Sequence, residues 1–298
     1  MDKKRKRILI AYDGSFHARE SVRYIAGIPG FRQMEIVLFN VFQKIPDCYY
    51  DLEVVTPHAA RIREIHAWEA QEEHNMGEAL EQAKRILVDA GVPGDHVRIV
   101  RRERQKGIAR DIAAESRQRY AAVVVGRKGV SRVRDLVMGS VSAKLLERLT
   151  YVPLIVVGRA SGSDRVLIAV DPSQGAMRAV GFAARTLGTS QCRFTLANVI
   201  RGNADGCLDE LRDTVNRSFE DAVSRLARAG VDRDRIATRM ISGAHSRAAV
   251  LVEKAVEGGY GTIIVGRRGL SRVKEFFIGR VSNKVMQLVR DQAVWVVS

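Results

Sequence analysis

Two aspartates, two glycine clusters and the cations among them are the residues of this 298-residue chain whose types and spacing suit chemistry on an anion. Asp13 closes the apolar run of "KRILIAYDGS". Further on, "VVVGRKGVSRVRDLVMGSVS" (residues 123–142) leaves another apolar run through Gly126, Gly129 and Gly139 and ends on Ser140, Val141 and Ser142. Glycine tolerates positive φ and lets a ligand approach the backbone. Gly139-Ser140 precedes an amphipathic helix that Ser140 can cap, and the free amides of a helix start attract anions. Arg127, Lys128, Arg132 and Arg134 add positive charge between them. Loop amides, a helix start and basic side chains together suit a polyphosphate. Asp13 can accept hydrogen bonds from a ribose or base, or help hold Mg²⁺. Asn40-Val41 closes the next apolar run and can line a base pocket.

The pattern occurs twice. "DRVLIAVDPS" repeats the opening stretch with Asp171 in place of Asp13, and "IIVGRRGLSRVKEFFIGRVS" (263–282) repeats the cluster with Gly266, Gly269, Gly279 and Ser282. A repeat of this length implies two similar units, read as residues 1–160 and 161–298. The first carries an additional stretch, about 44–68, with Tyr49, Tyr50 and Trp68; it reads as a packed excursion, a lid or an added dimer surface.

The elements that must position these residues alternate. In the first unit, strands are expected near 7–12, 36–42, 97–101, 121–125 and 152–157. Helices are expected near 15–27 (N-cap Ser15), 62–90 (ended by Gly91), 108–118 and 140–149. In the second, helices are expected near 174–187, 205–229, 246–257 and 280–289, and strands near 262–265 and 293–297. Short all-apolar strands between helical patterns imply a parallel sheet covered on both faces. The fold class is therefore α/β: two tandem doubly wound, Rossmann-like domains. Such sheets bind ligands beyond the carboxyl ends of their strands at the switch point, where each aspartate would meet its glycine cluster.

Other chemistry is excluded or disfavoured. No G-x-x-x-x-G-K-[ST] loop is present, and the first strand is followed by a single glycine instead of G-x-G-x-x-G. His58, His66 and His74 drift around a helix and do not converge on one metal. His245 opens a helix near the strand ends, where it reads equally as a phosphate contact or an exposed loop residue. No nucleophile, base and orienting carboxylate fall together, so no catalytic residue is assigned and any hydrolysis of a bound polyphosphate would be weak. Three scattered cysteines read as reduced thiols in a cytoplasm, and no apolar run reaches the roughly 18 residues that span a bilayer. The net charge of +15 suits a polyanionic partner.

These residues resemble the universal stress protein family in its tandem two-domain form. Its ATP-binding members carry G-x2-G-x9-G-[ST] after the fourth strand, which Gly126, Gly129, Gly139 and Ser140 match, together with an Asp ending the first strand, which Asp13 matches. The resemblance implies a cytoplasmic stress-response protein that binds ATP, with or without Mg²⁺ at Asp13, and acts as a regulator. It places adenosine near Asp13 and Val41 and phosphates along Gly126, Arg127, Gly129, Gly139, Ser140, Val141 and Ser142. It also pairs the two fifth strands, so that the five-stranded sheets form an intramolecular pseudo-dimer, with further homodimerisation open. In the second unit Asp171, Gly266, Gly269, Gly279 and Ser282 match, but Arg280 replaces the Ser/Thr and Pro172 follows Asp171. The first unit is accordingly the expected ATP site. Two rival readings are a nucleic-acid-binding module, which the charge favours and the lack of interleaved aromatics does not, and a pseudo-dimeric scaffold holding another acidic ligand.

Overall fold

A computed structural model describes residues 6–44, 59–128, 138–159, 162–201, 208–269 and 278–298. The first unit runs β1 (Arg7–Ala11), α1 (Phe16–Ala26), α2 (Pro29–Arg32), β2 (Glu35–Phe42), α3 (Ala59–Asp89), β3 (Val97–Glu103), α4 (Ile108–Ser116), β4 (Tyr120–Gly126), α5 (Ser140–Arg148) and β5 (Leu154–Val157). The second runs β6 (Arg165–Ala169), α6 (Gln174–Leu187), β7 (Arg193–Arg201), α7 (Leu208–Arg228), β8 (Ile236–Ala244), α8 (Arg247–Glu257), β9 (Thr262–Gly266), α9 (Arg280–Leu288) and β10 (Ala293–Val297).

Local chemistry sets several boundaries. Ser15 caps α1 by accepting from Ala18 N at 3.1 Å, and Ser173 caps α6 by accepting from Ala176 N at 3.2 Å. Both satisfy an otherwise orphaned first-turn amide. Gly91, at φ +93°, takes the left-handed turn that ends α3. Most of the stretch 44–68 (residues 45–58) lies outside the described residues; its remainder, from Ala59 on, is the start of the 31-residue α3.

All ten strands form one sheet in the order β3-β2-β1-β4-β5-β10-β9-β6-β7-β8. Within each unit every pairing is parallel. The units meet where β5 and β10 pair antiparallel, Ile155 opposite Trp295. This is the doubly wound architecture that the alternating pattern implied, with the fifth strands joined. Alternate residues of each strand feed opposite layers: Ile8 and Ile10 pack with α1 and α3, whereas Leu9 packs with α4 and α5. Both layers continue across the seam into the second unit. At the seam Trp295 is fully buried, donates from Nε1 to Tyr24 Oη at 2.8 Å, and lies between the rings of Phe31 and Phe182. Tyr24 Oη in turn meets Thr262 Oγ1 at 2.7 Å.

Helix α2 and strand β8 are not among the expected elements. Helix α2 is a single turn. Strand β8 carries Thr238 and Arg239 along an exposed edge, so it lacks the apolar run that marks a central strand.

Candidate functional site

The switch points fall between β1 and β4 and between β6 and β9. Register pairs Ile10 with Val124 and Ile168 with Ile264, so each aspartate leaves the sheet beside its glycine cluster. The carboxylate of Asp13 is turned back on its own loop, where Oδ1 accepts Ser15 N–H at 3.1 Å. Asp171 accepts Ser173 N–H at the same 3.1 Å, and the Ser173 hydroxyl as well. The Gly/Pro difference at positions 14 and 172 leaves this turn bond unchanged.

The glycines serve close approach. A Cβ on Gly126 would lie 2.8 Å from the His17 backbone, and one on Gly266 would lie 2.5 Å from that of Gly175. Both distances are impossible for real atoms, so the end of β4 or β9 and the start of the helix after the neighbouring strand (α1 or α6) touch only because a side chain is missing. Gly269 fits against Asp171: a Cβ there would be 2.6 Å from the carboxylate Oδ2. Gly129, with Arg132 and Arg134, lies outside the described residues.

The helix start differs from expectation in one detail. Gly139, and not Ser140, is the N-cap of α5, and no side chain caps it. The reason is a backbone bond: Gly139 N–H donates to Arg127 O at 2.7 Å, which turns the chain one residue early, so that Gly139 O already accepts from Ala143 N. Ser140 is thus an exposed first-turn residue. Gly279 repeats the arrangement at α9, with Gly279 N–H on Arg267 O at 2.7 Å. In both helices the amides of the first turn (Ser140, Val141, Ser142; Arg280, Val281, Ser282) have no intrahelical acceptor. They face the strand ends with the positive end of the helix dipole.

Three expected ligands have other work. Ser142 and Ser282 are buried and spend their hydroxyl protons on Gly126 O (2.8 Å) and Gly266 O (2.6 Å); they tie the helix start to the strand and have no proton left to donate to phosphate. Arg127 does not reach the site at all. Its backbone N–H continues the ladder onto Val157 O, and its side chain is 1% exposed in the seam, with Nη1 donating to Met286 O at 3.1 Å. Val41 is half-buried against the α4 layer and pairs with Arg102 of β3.

In the second unit the described residues enclose a cavity of about 530 Å³. Val170, Asp171, Asn198 and Val199 form one wall; Gly266, Gly269, Gly279 and Ser282 form another. Four cations face it, Arg247, Arg268, Arg280 and Lys284, and Asp171 is the single carboxylate among the described lining residues. Asn198 is held by its own bond to Val170 O at 2.7 Å, as Asn40 is held on Tyr12 O at 2.9 Å. Arg247 was missed in the sequence reading, which looked two residues earlier, at His245. The signal was there: Ser246 is an N-cap, accepting from Ala249 N at 3.3 Å, so the first helical side chain belongs to residue 247. Arg247 Nε is fixed on Val199 O at 3.0 Å.

His17 occupies in the first unit the place of Gly175 in the second. Its Nδ1 is buried and has no hydrogen-bond partner among the described residues. Burial first, then the charges of Arg159, Lys128 and Arg127, hold its pKa below the ordinary histidine value, while Asp13 opposes them.

Two doubly wound α/β units fused edge to edge, each with a cationic or amide-lined rim at its switch point, define the class of molecule. The chain matches the model of the universal stress protein family over residues 4–158 and again over 162–297. It therefore belongs to the universal stress protein family. It is similar to the universal stress protein YxiE of Bacillus subtilis, 28% identical over 142 residues, which cover 42% of this chain and 93% of YxiE. Among solved structures it is similar to a universal stress protein from Archaeoglobus fulgidus, with a TM-score of 0.68, 20% identity and 98% of each chain covered. A putative universal stress protein from Pseudomonas aeruginosa aligns over 98% of this chain and 93% of its own with a TM-score of 0.55 and 15% identity. These structural likenesses bear on the fold.

Proposed function

We propose that the chain is a regulatory stress-response protein of the cytoplasm that binds an adenine nucleotide, ATP foremost, at the strand-end rim of each unit. The observation that carries the reading is the second-unit cavity: first-turn amides, four cations and one carboxylate around a space of about 530 Å³. Such a charge balance favours a ligand with several negative charges at one end. The apolar wall of Val170, Val199 and Leu251 suits a base. The first unit carries the same backbone skeleton: the Gly139–Arg127 bond, the Ser142–Gly126 bond and the Asp13 turn. The expectation of a first-unit ATP site is therefore kept and extended to the second, where Arg280 adds charge without removing an amide.

No group of three or more His, Cys, Asp or Glu side chains able to hold a metal occurs among the described residues. Asp13 and Asp171 are single carboxylates. Mg²⁺ fits these sites only as the counterion of bound phosphates, with one carboxylate oxygen and water completing its shell. Asp13 or Asp171 would hold it there, and it would neutralise phosphate charge.

The regulatory part of the reading rests on the sequence, in which no nucleophile, base and orienting carboxylate fall together. No described helix is long and apolar enough to cross a membrane. The test is mass spectrometry of ligands released from the purified chain, followed by calorimetry with ATP and Mg²⁺. Recovery of adenine nucleotide and saturable binding support the reading. A chain that releases none and gives no heat with ATP refutes it; a steep salt dependence of oligonucleotide binding would favour the nucleic-acid alternative.

A further inference from the structure

The residue after each strand-end glycine is an arginine whose side chain crosses the seam. Arg127 Nη1 donates to Met286 O, in the last turn of α9, at 3.1 Å. Arg267 Nη2 donates to Leu146 O and Leu149 O, at the end of α5, at 2.8 and 2.6 Å. Both side chains are almost fully buried, at 1% and 3% exposure. Burial brings each guanidinium down to about 10, with Asp291 opposing the shift at Arg127, so both remain charged at neutral pH. Each therefore places a cation on the carbonyl end of a helix, where the dipole favours it.

The same two residues close the phosphate loops. Arg127 O accepts Gly139 N–H at the start of α5, and Arg267 O accepts Gly279 N–H at the start of α9, both at 2.7 Å. The bonds form a ring. From Gly139 the path runs to Arg127, through its side chain to the end of α9, along that helix to Gly279, then to Arg267 and through its side chain to the end of α5, which begins at Gly139. Both anion-receptive helix starts are members of this one ring.

We propose that Arg127 and Arg267 are positioning residues that couple the two rims, so that a polyphosphate bound at one strengthens binding at the other. The proposal rests on the nucleotide reading above. An anion at the start of α9 firms that helix, and with it the carbonyl that holds Arg127 and the loop base of the first rim; the converse runs through α5 and Arg267. The two links are unequal. Arg267 Nε also donates to Ser298 Oγ at 3.3 Å. Arg127 Nε and Nη2 have no partner among the described residues. The position matching Ser298 is Gly158, where a Cβ would lie 2.2 Å from Asp291 O, so no hydroxyl fits there. Arg127 is the looser link and the one whose alteration breaks the ring first.

The experiment titrates the full chain with ATP and Mg²⁺ by calorimetry, with one rim blocked by the bulky, uncharged Gly279→Leu or Gly139→Leu. The open rim is expected to bind about three- to tenfold more weakly when the other is blocked than when it is filled. Arg127→Lys combined with Arg267→Lys, which keeps charge but loses the planar fork, is expected to erase that difference. A merely structural role would weaken both rims alike, whether or not the other is blocked. Equal affinity of blocked and unblocked proteins overturns the coupling while leaving the nucleotide reading intact, as does a difference that survives in the double lysine variant. If the double variant does not fold, Arg127→Lys alone serves. Amide exchange at residues 139–142 of the ligand-free chain reads the ring without nucleotide. Gly279→Pro, which removes the N–H that donates to Arg267 O without adding charge, should speed it severalfold, and unchanged exchange overturns the coupling even where ATP fails to bind.

Discussion

The two rims share a backbone and differ in what hangs from it. In both, a Gly N-cap donates to an arginine carbonyl at 2.7 Å, a buried serine donates to the strand-end glycine, and an aspartate accepts the serine amide two residues on at 3.1 Å. The side chains that complete each site are unlike: Ser140 against Arg280, Ile108 against Arg247, His17 against Gly175. Glycine spacing therefore encodes the skeleton and leaves the ligand-facing chemistry free to diverge. A Ser-to-Arg change at the third glycine, which at the level of motif matching looks like loss of a site, leaves every first-turn amide in place.

The sharpest way to break this comparison is to occupy the amides. Gly139→Glu and Gly279→Glu each put bulk and negative charge where phosphate would lie. Each should lower ATP affinity at its own rim by at least about a hundredfold, roughly 3 kcal/mol. Gly139→Glu should lower the melting temperature by no more than a few degrees; Gly279→Glu should cost somewhat more, because its Cβ would lie 3.2 Å from Arg267 O. Calorimetry and thermal melts of the two variants check this. Undiminished binding in either would show that the skeleton of that rim is not what holds the ligand.

The next largest effect separates the units sterically. A Cβ on Gly175 would lie 1.9 Å from Arg268 O, whereas its counterpart in the first unit is a histidine. Gly175→Ala should cost about 1–3 kcal/mol through forced backbone shifts and weaken the second rim. His17→Ala should be within about 1 kcal/mol of neutral, because its Nδ1 makes no hydrogen bond among the described residues. Denaturant melts of the two proteins decide it.

How much of this was legible beforehand divides along the same line. The strand–helix alternation, the switch-point location and the N-cap Ser15 could be read because each depends on local pattern. Arg127 could not. A basic residue inside a glycine cluster reads as a phosphate ligand, and only the antiparallel β5–β10 seam shows that its side chain has a helix end of the other unit to bind. Ser142 fails for the opposite reason: it is at the site, but its proton goes to Gly126 O, a contact between residues 16 apart that no spacing rule contains. Arg247 escaped although the helix start was placed at the strand ends: the expected contact fell on His245, and only Ser246 as N-cap makes residue 247 the first helical side chain.

Charge is the next lever, with a smaller effect. Arg280→Ser converts the second rim to the type of the first and should weaken its ATP affinity about three- to tenfold, while flattening its salt dependence, since one cation leaves a screened site. Ser140→Arg in the first unit should do the reverse. Titrations at two ionic strengths measure both. If Arg280→Ser leaves affinity and salt slope unchanged, the Arg280 side chain lies away from the ligand and the divergence of the rims is decorative.

The smallest expected difference is one of pH, and its sign is set by His17. In the free chain this histidine titrates below its ordinary value of about 6.5, because burial and the neighbouring cations oppose its charged form. The unfolded chain takes up that proton near 6.5 and the folded one does not. The contribution to stability is thus fully present above about 6.5, falls as the pH drops below it, and is spent once the folded group protonates as well. A polyphosphate beside Gly126 reverses the local field and raises the His17 pKa, so binding at the first rim takes up a proton and tightens as the pH falls from about 8 to about 6, by about two- to threefold. The second rim has Gly175 at this place and should show no such trend. Acid therefore weakens the free first unit while strengthening its hold on nucleotide, two opposite signs from one imidazole. Melts and titrations of His17→Gln across that range, in which both trends should flatten together, make the comparison; a trend in affinity that persists in His17→Gln assigns the proton to another group.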